Sequence, residues 1–387
     1  MSIFWADGRS RFSCSQFGDA IILDTSYRKS ISLVPFATFI RINHHKQSVL
    51  FGCAVITNES EESFTWLFQT CLRAMSGLHP LSIIADQDKA IQKAVKKVFP
   101  RTHHWEYLNL MESPFTYEYE KCIYQSLTTD EFETAWNILL NRHGLVENNW
   151  LTEMYQKRES WAPVYLRGTF FAGIPLNENI ESFFGMFLTA QTPLLEFISR
   201  YESGVERRCE EERKEDFNSY NLQAYMQTKE PTEEQCRRLY MLNVFKIFQR
   251  ELLQSYGYVG FKVYEEGTIS RYLVRKGVTD KEKCAVTFST SNLNVACSCH
   301  MFEFEGVLCG HVLRVFQIMA IRGIPSQYIL HRWTRNAVFR TVHDLESARS
   351  SQELKALMLW SLRETASKYI GAGASSLKKH KLACEIM

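Results

Sequence analysis

No stretch of this 387-residue chain runs to eighteen apolar residues, so nothing in it reads as a membrane-spanning helix. Met1 to Gly8 also lacks the apolar segment that would direct secretion. Excess charge is missing too: 45 Lys and Arg stand against 43 Asp and Glu, a formal net charge of +2. Any contact with nucleic acid must therefore come from a local basic face rather than an overall basic field. The regular cysteine framework of a small secreted domain is absent as well. Eleven cysteines, an odd number with irregular spacing outside one cluster, point to thiols and metal ligands in a cytosolic or nuclear setting. What the chain does have is core, since 45% of it is hydrophobic, enough for two or three domains of about 150 residues.

The sharpest chemical signal lies between Cys297 and His311. Cys297-Ser298-Cys299 is followed after nine residues by Cys309-Gly310-His311, and Val312-Leu313-Arg314-Val315-Phe316 then begins a helix. Thiolates and imidazole suit Zn(II), which takes four ligands in a tetrahedron and holds together segments too small to bury their own core. In an extended Cys-x-Cys both thiols can face one side. Gly310, without a Cβ, lets the second pair fold round tightly. The plainer reading is three buried thiols beside an unrelated histidine. Cys284 is close enough to compete as a ligand, although burial in a strand is the commoner fate of a single thiol.

Upstream, Ala20 to Leu23 is an apolar strand ending on Asp24, followed by strands over Val34 to Ile42 and Val49 to Ile56 around a turn at His44-His45-Lys46-Gln47. A helix through Phe64, Leu67, Phe68 and Leu72 follows, introduced by Glu59-Ser60-Glu61-Glu62 and stopped by Gly77. Leu81 to Ala85 makes a further strand ending on Asp86, and Ile91, Val95 and Val98 mark the buried face of the next helix. Three antiparallel strands, a helix and a strand open an RNase H-like fold. Strands ending at Asp24 and Asp86 on one sheet would set two carboxylates together, an arrangement that invites Mg(II); alternatively each Asp merely ends a strand.

Farther on, Ile180, Phe183, Phe184, Phe187 and Leu188 form one helical stripe that Asn177 could cap, with Glu178 in the first turn. An acid there is commonly only a helix-dipole partner. The helical patterns from Thr129 to Leu140 and Trp150 to Lys157 read as an inserted subdomain. His103 and His104 point to opposite faces of a strand and are structural. His44 and His45, at a hairpin tip, are expected to be solvated. Mixed charge from Val205 to Lys229 suggests a solvated helix or linker. Tyr240 to Leu253 forms another amphipathic helix, and Val259 to Val263, Tyr272 to Arg275 and Cys284 to Ser289 are the finger's own strands. A helix from Gln352 to Tyr369 and the basic cluster Lys378-Lys379-His380-Lys381 follow.

The Cys-x-Cys and Cys-x-His pattern resembles the SWIM zinc finger. Its flanks, Met301-Phe302-Glu303, Glu305 to Leu308 and Arg332-Trp333-Thr334-Arg335-Asn336-Ala337, resemble those of the plant far-red-impaired-response family of transposase-derived regulators. Phe4-Trp5-Ala6-Asp7-Gly8, Asp24-Thr25-Ser26-Tyr27-Arg28, Asn43-His44-His45 and Asp86-Gln87-Asp88-Lys89-Ala90 are similar to that family's Mutator-like core. After Pro100 the chain departs from the family, passing through His103-His104-Trp105-Glu106 directly towards Tyr117.

The resemblance implies an α/β (α+β) protein: an RNase H-like core over 1–204 with a helical insertion at about 109–170, a charged helical linker over 205–255, a SWIM region over 256–340 and a C-terminal helix with a basic tail over 341–387. It assigns Asp24, Asp86 and Glu178 to an ancestral catalytic triad, with Mg(II) possible there, and Cys297, Cys299, Cys309 and His311 to a structural Zn(II). It implies a nuclear transcription regulator of light and developmental signalling rather than an enzyme. DNA is the expected partner, bound weakly because the family's usual N-terminal zinc DNA-binding domain is not in this sequence; related chains are expected as oligomer partners, and no membrane. An active metal-dependent transposase and a zinc-stabilised protein-interaction module are the alternatives.

Overall fold

A computed structural model of the protein describes residues 2–25, 35–107, 116–174, 194–277 and 283–337, with isolated positions beyond 337. Six strands form the first sheet: β1 (Ile3–Trp5), β2 (Ala20–Asp24), β3 (Phe36–Ile42), β4 (Ser48–Val55), β5 (Ser82–Asp86) and β6 (His103–Tyr107), in the order β1-β4-β3-β2-β5-β6. The β2, β3 and β4 strands run antiparallel, whereas β5 lies parallel to β2 and β6 parallel to β5. The shortened stretch after Pro100 thus still supplies a strand. Between β1 and β2 lies α1 (Gly8–Phe17), whose weakly apolar sequence gave no helical period; Asp7 caps it by accepting from the Ser10 amide at 2.6 Å.

Strand periodicity divides the core. Ile21, Leu23, Ile83 and Ala85 face α2 (Glu61–Ala74) and α3 (Lys89–Val98), packing on Phe64, Leu67, Phe68, Ile91 and Val95. Their neighbours Ala20, Ile22 and Ile84 face the other way. Ser60 caps α2 at the Ser63 amide, and Asp88 caps α3 at the amides of Ala90 and Ile91.

A cluster of helices comes next: α4 (Thr116–Gln125), α5 (Thr129–Arg142), α6 (Asn149–Gln156), α7 (Arg158–Trp161) and α8 (Pro163–Leu166). Phe132, Trp136, Leu139, Leu151 and Trp161 close a separate core. The indole of Trp105 on β6 donates to the Trp161 carbonyl at 2.7 Å and ties this cluster to the sheet. His103 is exposed and His104 half-buried, and burial pushes the His104 imidazole down to about 4.

The 28-residue α9 (Leu194–Asn221), α10 (Pro231–Leu239) and α11 (Leu242–Ser255) lead to a second sheet. Its strands β7 (Tyr258–Glu266), β8 (Ile269–Lys276), β9 (Cys284–Ser289) and β10 (Val295–Cys297) form an antiparallel meander. After it come α12 (Met301–Glu305) and α13 (Gly310–Ile318). Among the described residues no helix is long and apolar enough to cross a membrane.

The far face of the first sheet and the second sheet share one core. Ile22, Ile40, Ile84 and Trp105 belong to the same buried cluster as Val244, Phe248, Tyr272, Phe304 and Trp333. Trp105, Phe171 and Phe304 meet ring to ring at 5.0 to 5.8 Å, and the Phe304 carbonyl accepts from the Phe171 amide at 3.1 Å. Lys46, at the β3–β4 tip, donates to the carbonyls of Ala172 and Glu305 at 3.0 and 3.2 Å and lies 4.4 Å over the Trp333 ring. Arg332 pairs with Asp19 and donates to the Ile42 carbonyl at 2.8 Å.

The expectation that the hairpin tip is solvated is therefore overturned. His44 and His45 are 2% and 1% exposed because α9, far along the chain, covers them. Burial lowers the Lys46 ammonium to about 8 from its ordinary 10.5, so between those values the unfolded chain holds more protons at this site than the folded one. Stability then rises with pH. In urea titrations at pH 8 and 10, the protein should gain stability relative to Lys46→Met as pH increases; parallel slopes for the two would refute the burial of this charge.

Candidate metal centre

The four sequence-predicted ligands come together. Ligand atoms of Cys297, Cys299, Cys309 and His311 lie within 4.8 Å of one another, and all four residues are buried. Cys297 ends β10, and Cys299 sits in the turn beyond it, where the Cys297 carbonyl accepts from the His300 amide at 3.0 Å. His300 adopts φ 50° to complete that turn. The Cys-x-Cys pair is therefore made by a strand end and a turn, not by one extended strand. Cys309 is the N-cap of α13, and His311 lies in its first turn.

Gly310 earns its place through close approach rather than a left-handed backbone. A Cβ there would stand 2.9 Å from the Glu251 carbonyl oxygen and 2.8 Å from the Tyr258 ring. Its amide donates to Glu251 Oε2 at 2.9 Å, and burial raises that carboxyl from its ordinary value against the pull of this hydrogen bond. Tyr258 stacks on the His311 imidazole with centroids 4.7 Å apart. Helix α11 and strand β7 thus build the wall that holds the second ligand pair.

The chemistry of this donor set fits a metal ion. His311 Nδ1 is buried and takes no hydrogen bond among the described residues. The neighbouring thiols of Cys284, Cys297 and Cys309 pull the Cys299 thiol below its usual range. Buried thiols that compete for protons exchange them readily for a cation. Cys284, buried at the start of β9, lies beside this cluster but outside the group of four.

The acidic pair lies elsewhere. Leu23 pairs with Ala85 in parallel register, so Asp24 and Asp86 occupy adjoining strand ends at one rim of the sheet. Thr25 donates to Asp86 Oδ2 at 2.6 Å, and Asp24 is 6% exposed. Glu178 and the stripe from Ile180 to Leu188 lie outside the described residues, as do most of the C-terminal helix and basic cluster. Among the described residues the two acids belong to no group of three metal-binding side chains, and nothing there supports Mg(II). A second convergence, His44 and His45 with Asp216, escaped the sequence reading altogether.

A mixed α/β body is thus followed by a small unit with three cysteines and a histidine at its heart, the build of a zinc finger joined to a larger α/β domain. Accordingly, residues 20–106 match the MULE transposase domain and residues 282–319 the SWIM zinc finger. In Arabidopsis thaliana, Protein FAR1-RELATED SEQUENCE 7 is 62% identical over all of this chain and 52% of its own length. FAR1-RELATED SEQUENCE 12 is 63% identical over all of this chain and 50% of its own length, and FAR1-RELATED SEQUENCE 9 is 36% identical over all of this chain and 74% of its own. The chain belongs to the FAR1-related sequence family. It spans about half the length of the two relatives that it matches above 60% identity.

Proposed function

We propose that this chain belongs to a transposase-derived nuclear transcription regulator, in which zinc is a structural element and DNA or a protein partner is bound without catalysis. The observation that carries this reading is the donor set itself: three thiols and one imidazole converge within 4.8 Å, the number and kind of ligands that fill all four positions of a structural Zn(II) and leave none for a substrate. The six-stranded sheet supports an RNase H-like assignment, since β4-β3-β2-β5-β6 is a three-strand antiparallel meander continued by two parallel strands. On this reading 1–204 is that core, with its helical insertion at about 109–170; 205–255 is the connecting helical segment, 256–340 the zinc unit and 341–387 the tail.

A near-neutral protein needs a local basic face to contact DNA. Helix α3 offers one: Lys89, Lys93, Lys96 and Lys97 are exposed opposite Ile91, Ala94 and Val95, with Arg101 just beyond. Fluorescence anisotropy with duplex DNA should show affinity falling linearly in log salt, because each neutralised phosphate releases about 0.9 counterion. Lys96→Glu with Lys97→Glu should flatten that slope by about two contacts. No DNA affinity at low salt would leave the protein-interaction module as the better reading.

The adjoining strand ends at Asp24 and Asp86 favour a second reading, metal-dependent strand transfer with Glu178. Activity on terminal-repeat DNA that is lost in Asp86→Asn would establish it. Related family members are the proposed oligomer partners, and light and developmental signalling the proposed setting.

A further inference from the structure

The β3–β4 tip and α9 build a second convergence of metal-binding atoms that the cysteine cluster does not touch. Ligand atoms of His44, His45 and Asp216 lie within 4.8 Å of one another. His44 Nε2 stands 2.8 Å and His45 Nε2 2.9 Å from the same oxygen, Asp216 Oδ1. Consecutive residues on a strand diverge, but here the chain has left β3. Asn43 Oδ1 accepts from the amides of His45 and Gln47, and Lys46 takes φ 62°, so the turn brings both rings to one side with centroids 4.2 Å apart. Phe17 stacks on His44 at 5.4 Å and fixes its plane.

Two imidazoles and a carboxylate are the donor set of borderline divalent cations such as Zn(II), Co(II) and Fe(II). With bonds of about 2.0 to 2.1 Å, a tetrahedral ion sets its ligand atoms about 3.3 Å apart, so the nitrogen–oxygen pairs would have to open by only about half an ångström. The surroundings supply what such ligands need. His44 Nδ1 faces Glu212 Oε1 at 3.9 Å, and Glu212 lies one turn before Asp216 on α9, where a metal-bound histidine commonly finds a second carboxylate. Asn43 Nδ2 holds that carboxylate at 2.9 Å. The Asp216 side chain keeps 19% exposure, which gives an ion a way in and leaves a water a fourth position.

We propose that His44, His45 and Asp216 form a second divalent-metal site, which clamps α9 to the hairpin tip of the first sheet. The proposal stands independently of the cysteine site, because no residue is shared. Equilibrium dialysis of the purified chain against Zn(II), followed by elemental analysis, should give about two ions per chain, one from each convergent ligand set. Asp216→Asn, which keeps the shape and a hydrogen-bond acceptor, should lose one ion and retain the other. With Co(II) in place of Zn(II), the ion absent from that variant should show weak ligand-field bands and no sulfur charge transfer, whereas the retained ion should show the thiolate band. Saturation of the unmodified chain at one ion would overturn the proposal. So would two ions in Asp216→Asn, or thiolate charge transfer from both ions in the unmodified chain, a reading that stands even if the variant does not fold.

Discussion

Cys309→Ser should cost the protein one zinc ion and the folded state of residues 283–337. A serine hydroxyl is a poor substitute for the thiolate that Zn(II) requires, and Cys309 is at once a member of the convergent donor set and the N-cap residue of α13. Structural zinc contributes about 10–16 kcal/mol of apparent binding free energy in small fingers, as much as the whole stability of a typical domain, about 5–15 kcal/mol. No reserve is left to hold α12, α13 and β10 once the ion is gone. Elemental analysis should register the loss, and proteolysis should cleave between residues 283 and 337 while the Phe64–Ile91 core stays protected. A variant that keeps full zinc content and protease resistance would show that the four side chains are merely packed together.

Trp333→Ala should be the most damaging single change away from any ligand. The indole is fully buried, lies under Lys46 and beside Phe170, and donates to the Glu305 carbonyl at 3.1 Å. Arg332, next to it, bridges to Asp19 and the Ile42 carbonyl on the first sheet. Deleting a buried Trp costs about 3–5 kcal/mol, and the Glu305 carbonyl would lose one of its two donors. Urea unfolding should show this loss together with a split into two transitions, as the first sheet and the zinc unit come apart. A single transition shifted by less than about 1 kcal/mol would mean that the shared core does not couple them.

The legible parts of the fold were those written in short-range periods. Ile21 and Leu23 against Ala20 and Ile22 alternate in the sequence and are divided between two cores in the molecule. The acids around Ser60 announced α2, and Ile91, Val95 and Val98 announced α3, because a helix start and a helix face are each written within a few turns of chain. Where a contact spans the chain, the sequence was silent or misleading. Gly310 read as a turn residue, yet its missing side chain makes room for Glu251 and Tyr258. Strand β1 is three residues long, too short for a period, and owes its place to pairing with β4. The tip that carries His44 and His45 read as solvated, and instead Lys46 beside them seals the seam between two sheets.

The sequence alone determined which atoms were available to bind a metal and roughly where: thiols and an imidazole within fifteen positions, and aspartates at the ends of apolar strands. Spacing of that kind survives any arrangement of the rest, because neighbours in sequence remain neighbours in space. Tertiary structure alone decided what would be covered. His44 and His45 are buried because Asp216, 171 and more residues later, arrives on a helix to meet them. Burial is set by the far part of the chain that lands on a residue, and no local pattern encodes that.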